Sequence, residues 1–247
     1  MLGTDVHPDR DTLNHIRAIL LDIEGTTTPI EFVHQVLFPY ARAHVHDYLA
    51  EHADDPEVRA DIALLRAEHA AESAQAAGVP PWNPEAYVYW LMDRDRKSTG
   101  LKSVQGRIWE AGYQSGELKG KGEVYSDVRP ALERWRATGK QIAIFSSGSV
   151  QAQRNLFANT TAGDLSPFLS GYFDTTTGPK REAGSYRKIA GALGRRPADV
   201  LFVSDVAAEL DAARAAGMRT ALCVRGHDEP HDSLTDHPRI RSFVELA

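Results

Sequence analysis

Two carboxylates two residues apart, Asp22 and Glu24, close an apolar run in the segment Leu20-Leu21-Asp22-Ile23-Glu24-Gly25-Thr26-Thr27. Two more apolar runs end on polar residues in the same way. Ile142-Ala-Ile-Phe145 leads into Ser146-Ser147-Gly148-Ser149, and Leu201-Phe-Val203 leads into Ser204-Asp205. Carboxylates delivered from separate strands suit a hard divalent cation with oxygen ligands, and Mg2+ in particular keeps several waters and recruits a substrate phosphate. Hydroxyls and backbone N–H groups at a helix start suit an anion. The chemistry on offer is that of a pocket for a small phosphorylated molecule. Each element alone has a plainer reading. Ser146 or Ser149 could cap a helix, and Asp205 could cap the helix that runs through Glu209. Three such strand ends in one chain argue for the shared pocket.

The elements that must position these residues follow from periodicity. Arg17 to Asp22 is apolar at both parities, which marks a strand buried on both faces, as in a parallel sheet covered by helices. Gln141–Phe145, Asp199–Val203 and Arg219–Val224 read as further strands. Helices are expected from Pro130 to a stop at Gly139, from about Val150 to Ala158, from Ser185 to Leu193, and through Ala216 to Gly217. Strands alternating with helices imply right-handed βαβ units in a doubly wound, mainly parallel α/β sheet. Ligands bind such sheets at the carboxyl ends of the strands. Between roughly Ile30 and Gly122 the spacing turns helical, as in Val33, Val36, Leu37 and Tyr40, and again in Leu101, Val104 and Ile108. This block reads as a helical insertion, so the expected division is 1–29 with 123–247 for the α/β core and 30–122 for the inserted cap.

Composition narrows the function classes. The 247 residues carry a formal net charge of −6, and no Lys/Arg cluster forms the footprint of a nucleic-acid binder. The single cysteine, Cys223, leaves no intrachain disulfide and points to a reducing compartment. The polar amino terminus is unlike a signal peptide, and no apolar run approaches the about 18 residues that span a bilayer. A cytoplasmic protein without membrane partners is expected. No Gly-x-x-x-x-Gly-Lys-[Ser/Thr] or Gly-x-Gly-x-x-Gly string occurs, which excludes the usual nucleotide loops.

Asp22-Ile-Glu24-Gly-Thr-Thr, the apolar run into Ser146, the lone Lys180, and Ser204-Asp205 with Glu209 resemble the four motifs of the haloacid-dehalogenase superfamily of phosphohydrolases. A helical insertion directly after the first motif resembles that superfamily's first-type cap. Glu24 stands where the superfamily usually has aspartate. Asp-Ile-Glu-Gly-Thr-Thr-Thr-Pro-Ile is instead similar to the enolase-phosphatases of methionine salvage, as are Leu101 to Glu117, Ser146-Ser-Gly-Ser-Val, Phe173-Asp-Thr-Thr and Ser185-Tyr-Arg-Lys-Ile-Ala. The similarity runs from about Ala18 to Val224.

The resemblance implies a set of roles. Asp22 is the nucleophile that forms an aspartyl-phosphate, and Glu24 is the acid that protonates the leaving oxygen and then the base for water. One Mg2+ is held by Asp22, Asp205 and the backbone carbonyl of Glu24. Ser146 and Ser147 bind phosphate and substrate, and Lys180 supplies positive charge, with Lys188 as the competing lysine. The implied substrate is 2,3-diketo-5-methylthiopentyl-1-phosphate, enolised and then dephosphorylated to an acireductone by a monomer. The segment Leu101 to Trp109 is expected to meet the methylthio group. Another capped phosphatase of the superfamily, acting on a different small phosphorylated metabolite, remains the alternative. A halide-releasing dehalogenase needs neither Mg2+ nor Asp205.

Weaker features have plainer readings. His44 and His46, at i and i+2 on a helix, face different ways and make a poor metal pair. His227, His231 and His237 read as part of a solvated loop. Trp82, Trp90 and Trp109 read as core of the helical block. Glu209 could back the metal or pair at the surface with equal ease.

Overall fold

In a computed structural model, residues 15–226 and 235–246 are described. Six strands, β1 (Ala18–Leu21), β2 (Gln141–Phe145), β3 (Gly171–Phe173), β4 (Val200–Ser204), β5 (Arg219–Cys223) and β6 (Arg239–Ile240), form one sheet in the order β3-β2-β1-β4-β5-β6. Every neighbouring pair is parallel. β1, β4 and all but the first residue of β2 are buried at both parities, as the unbroken apolar runs require. β3 and β6 go unannounced by the sequence pattern, and β6 extends the sheet with residues beyond the Ala18–Val224 span.

The chain runs outward from β1 in both directions, to β2 and β3 on one side and to β4, β5 and β6 on the other. Connections on the two sides of β1 therefore part, leaving a crevice at its carboxyl end. This is the point at which Asp22 emerges.

Four helices cover the sheet: α5 (Val128–Ala137), α6 (Val150–Ala158), α7 (Ala183–Ala192) and α8 (Ala207–Ala215). Leu20, Phe145, Phe202 and Leu222 pack one face of the sheet against Tyr186 and Ile189 of α7 and Leu210 and Ala213 of α8. The predicted start of α5 at Pro130 lies two residues inside the observed one, while Gly139, at φ +76, ends it in the left-handed region that glycine tolerates. Pro197–Asp199 is a 3-10 turn, so β4 begins at Val200.

The chain divides into two compact units, Met1–Ile30 with Lys119–Ala247, and Glu31–Leu118. The second unit is helical, with α1 (Phe38–Glu51), α2 (Pro56–Ser73), α3 (Pro84–Asp93) and α4 (Thr99–Ser115). A π-helical turn, Val33–Leu37, precedes α1. Pro39 has no N–H and its ring crowds the carbonyl four residues back, which favours a widened turn here. Ala41, Val45, Leu65, Val88, Val104 and Ile108 form this unit's core. Buried Asp61 of α2 accepts from Arg107 Nε at 2.5 Å and Ser103 Oγ at 2.7 Å on α4. The Glu68 carboxylate receives the N–H groups of Thr99 and Gly100, placing negative charge at the positive end of α4. Trp90 and Trp109 are structural, donating their indole N–H to the Gly78 and Leu37 carbonyls at 2.7 Å each. No helix among the described residues is long and apolar enough to cross a membrane.

Candidate active site

The register of the sheet brings the strand ends together. One step beyond the Leu21–Val203 pair, Asp22 stands opposite Ser204, and its N–H donates to the Val203 carbonyl at 3.0 Å. Ser204 Oγ donates to Asp22 Oδ2 at 2.8 Å, and the Ile23 N–H donates to Oδ1 at 2.8 Å. Lys180 completes the set. Its ammonium lies 2.8 Å from Asp22 Oδ2 and 2.7 Å from Glu209 Oε2, and all three side chains are buried. Lys180 also sits over the Phe145 ring at 5.8 Å. The Tyr186 hydroxyl donates to the Lys180 carbonyl at 2.6 Å, which ties the loop to α7.

These contacts decide between the two lysines. Lys188 is exposed and donates to the Thr177 carbonyl, so Lys180 is the one that meets the acid cluster. Glu209 is neither a surface partner nor free to face solvent: α8 directs it inward onto Lys180. Asp205 is not a helix cap, because α8 begins after Val206 without a side-chain cap. It lies instead against Gly25, where a Cβ would strike the Asp205 carboxylate and where φ is +68. That close approach accounts for a glycine after Glu24.

The charge state of the cluster follows from its burial. Burial, then the Asp22 charge and, more weakly, Glu24, push the Asp205 carboxyl up to about 6. Glu209 is pushed up by burial and by Asp22, against the pull of Lys180. Burial disfavours the charged Lys180, but Asp22 and Glu209 outweigh it and raise its pKa. Negative charge is thus in excess at the carboxyl end of β1. Asp22, Asp205 and nearby backbone carbonyls offer an all-oxygen donor set, which fits a hard divalent cation. No group of three or more His, Cys, Asp or Glu side chains among the described residues could hold a metal by itself. A cation here needs backbone, water or substrate oxygens as well.

Ser146 follows β2 at the same edge, one strand away from Asp22. Its hydroxyl accepts the Gly148 N–H at 3.2 Å, and its own N–H donates to the Phe173 carbonyl. Ser147 is exposed, and Ser149 is the residue that caps α6, accepting the Ala152 N–H. Glu24 is exposed and pairs with Thr28 in a short backbone bridge.

The profile of the haloacid dehalogenase-like hydrolases matches residues 16–217. A protein of Synechococcus elongatus named Enolase-phosphatase E1 is 58% identical over 237 residues, covering 94% of this chain and 98% of its own. Its namesake from Pseudomonas aeruginosa is 49% identical, again over 94% of this chain and 98% of its own. The chain belongs to the enolase-phosphatase E1 family of haloacid dehalogenase-like hydrolases. Among solved structures, the UTR4 protein of Saccharomyces cerevisiae superposes with a TM-score of 0.71 at 32% identity, covering 92% of this chain and 98% of that one. Phosphatases of this family generally use Mg2+.

Several residues around the site carry no signal in the first-motif pattern. Gln153 is buried and donates to the Gly148 and Phe173 carbonyls at 2.8 Å each, bracing the Ser146–Ser149 turn. A polar residue at the inward-facing fourth position of α6 was the available clue. His237 is not in a solvated loop: it is buried, with Nδ1 2.8 Å from Thr220 Oγ1 and Nε2 3.2 Å from Asp211. Burial lowers its pKa. His227 and His231 lie outside the described residues. His44 and His46 have separate partners, the Tyr40 carbonyl and Glu85.

Proposed function

We propose that the protein is a Mg2+-dependent enolase-phosphatase. In this reading it enolises 2,3-diketo-5-methylthiopentyl-1-phosphate and dephosphorylates it to an acireductone through an aspartyl-phosphate on Asp22, in the cytoplasm and as a monomer. The unit Glu31–Leu118 serves as the cap and the other as the catalytic core. The observation that carries the reading is the buried Asp22, held between Ser204 and Lys180 at the point where the sheet's connections part. The names of the relatives that align along nearly the whole chain support the substrate.

Asp22 is oriented for attack by three fixed donors, Ser204 Oγ, the Ile23 N–H and Lys180. Its carboxylate attacks phosphorus, and the bond from phosphorus to the ester oxygen breaks. Glu24 protonates that oxygen and then takes the proton of the water that hydrolyses the aspartyl-phosphate. Lys180 counters the charge of the nucleophile and of the phosphoryl group, while Glu209 holds its ammonium in place. Ser146 and Ser147 donate to the phosphate from the neighbouring strand end. Mg2+ would be held by Asp22, Asp205 and the Glu24 carbonyl, where it offsets the repulsion between carboxylate and phosphate and stabilises the transferring group.

Incubation with the diketo-phosphate, following enol absorbance and free phosphate separately, tests the proposal. Both signals are expected, with enol formation preceding or accompanying phosphate. Phosphate without enol would reduce the protein to the alternative capped phosphatase, and absence of both would refute the reading.

A further inference from the structure

The turn that follows Asp22 is held from outside the motif. The Ile23 carbonyl accepts the N–H groups of Thr26, Thr27 and Thr28 at 3.2, 2.9 and 2.9 Å, winding residues 23–28 into one tight turn. Three carbonyls of that turn are also engaged. Gly25 N–H reaches the Thr28 carbonyl, Tyr125 N–H reaches that of Thr27 at 3.0 Å, and the Thr26 carbonyl accepts two bonds from one side chain, Arg225. Arg225 Nε donates at 3.0 Å and Nη2 at 2.8 Å, while Nη1 lies 2.6 Å from Asp127 Oδ2.

This guanidinium is unusually constrained. Its side chain is 8% exposed and that of Asp127 is 13% exposed. The ring centroids of Tyr125 and Phe243 each lie 4.4 Å from its central carbon. Asp127 is itself anchored, accepting from Ser242 Oγ at 2.8 Å and from the Phe243 N–H at 2.6 Å through the same oxygen. These bonds outweigh burial and hold the Asp127 carboxyl below its ordinary range. A buried charge held by two aromatic rings and a charged partner gives two further N–H groups to a single neutral carbonyl. Only the planar fork of arginine can place two N–H groups on that oxygen while a third reaches Asp127.

We propose that Arg225, locked by Asp127, Tyr125 and Phe243, is a positioning residue that fixes the Glu24–Thr28 turn and thereby the metal-binding geometry of the Glu24 carbonyl and the aim of the Glu24 side chain. The inference rests on the Mg2+-dependent reading above. Arg225 and Asp127 touch no reacting group; they act through Thr26, two residues from Glu24. Gly25, between the two, is in turn packed on Asp205, so a shift of the turn moves the backbone against which the second carboxylate rests.

R225K separates positioning from structural support. Lysine keeps a positive charge for Asp127 but cannot make the paired bonds to the Thr26 carbonyl. The control is R134M, which removes a 2.8 Å bond to the Phe243 carbonyl in the same carboxy-terminal segment while leaving in place the bonds of Arg225 to Thr26 and Asp127 and those of Asp127 to Ser242 and the Phe243 N–H. Mg2+ affinity is read by titration calorimetry on substrate-free protein, alongside kcat and KM for the diketo-phosphate. R225K is expected to weaken Mg2+ binding about tenfold and to lower kcat about tenfold with KM within about twofold, an effect of the size seen when a metal ligand's supporting hydrogen bond is lost. R134M is expected to leave Mg2+ affinity unchanged. Should R225K not fold, D127N, which leaves the bonds to Thr26 but removes the charged anchor, is expected to show the same split at smaller size. Mg2+ affinity and kcat within twofold of the parent in the variant that folds, or equal losses in R134M, would overturn the proposal. Failure of the parent protein itself to bind Mg2+ would instead strike the underlying reading.

Discussion

Replacing Lys180 by methionine removes the one positive charge between two buried carboxylates. Opposite charges about 2.8 Å apart attract by roughly 6 kcal/mol at an effective dielectric of about 20, and most of that offsets the cost of taking the ions out of water. Exposed pairs are worth about 0–1 kcal/mol after screening. Here the ammonium is 8% exposed and its partners 7% and 12%, so little of the interaction is screened. Breaking such a pair from one side costs about 3–5 kcal/mol, because the remaining charges stay buried. In K180M those are Asp22 and Glu209, joined only through the Ser204 hydroxyl, which lies 2.8 and 3.5 Å from their oxygens. The double variant K180M/E209Q relieves half of this conflict: Asp22 keeps its bonds from Ser204 and the Ile23 N–H, and the glutamine carries no charge. E209Q alone should cost about 1 kcal/mol, since Lys180 keeps Asp22 and a neutral acceptor. Urea unfolding in excess EDTA, read by circular dichroism, should therefore give a double variant about 1–3 kcal/mol more stable than the sum of the single losses predicts. Additive losses would mean that Lys180 and Glu209 do not share one electrostatic site, and the charge argument for the cluster would fail.

D22N should abolish phosphate release while leaving the unfolding free energy within about 1 kcal/mol of the parent, because asparagine retains an acceptor and Lys180 retains Glu209; measurable turnover would remove the nucleophile assignment. Asp205 supplies a pH dependence with a definite sign. Its pKa is raised from the ordinary 3.8 to about 6, so between those values the folded chain holds a proton that the unfolded chain has released. In excess EDTA its contribution to stability should thus be fully present below pH 3.8 and be lost as the pH rises through 6. Mg2+ competes with that proton, so the rise in melting temperature on adding Mg2+ should be larger at about pH 7.5 than at about pH 5.5, and an equal rise at both would place the cation elsewhere.

Which parts of this architecture the sequence could announce depended on how much each segment relies on distant partners. β1, β2, β4 and β5 are runs of four or five residues buried by their own composition, and their apolar patterns mark them. β3 is three half-buried residues beginning with glycine, and β6 is two residues after Pro238. Both exist because a neighbouring strand offers free carbonyls and N–H groups. The polar strand ends behaved similarly. Asp22 is conspicuous because an acid in an apolar run violates the local pattern. Glu209 sits on an Ala-rich helix where the pattern permits either face, and only the packing of α8 against β4 turns it toward Lys180. Arg225 and Asp127 left no local trace, being 98 residues apart and paired by the return of the chain after β5.

The electrostatics of the cluster explain why the parts belong together. A phosphate ester is an anion, and at the carboxyl end of β1 it would meet Asp22, Asp205 and Glu209 with Lys180 in opposition. Lys180 is already committed to two of those acids, so its charge is largely spent before substrate arrives. Burial first, and then the Asp22 charge, raise the pKa of Asp205 and give it a tendency to keep a proton. A proton would cure the repulsion but leave a weaker oxygen donor, whereas a divalent cation cures it while also attracting phosphate. On the proposed reading the acids take an anionic substrate as a set that includes the cation, and Glu209 serves as the anchor that keeps Lys180 from being drawn wholly onto Asp22. On this view the turn after Asp22 has to be rigid, because two acids can share a cation only if neither can relax away from the other.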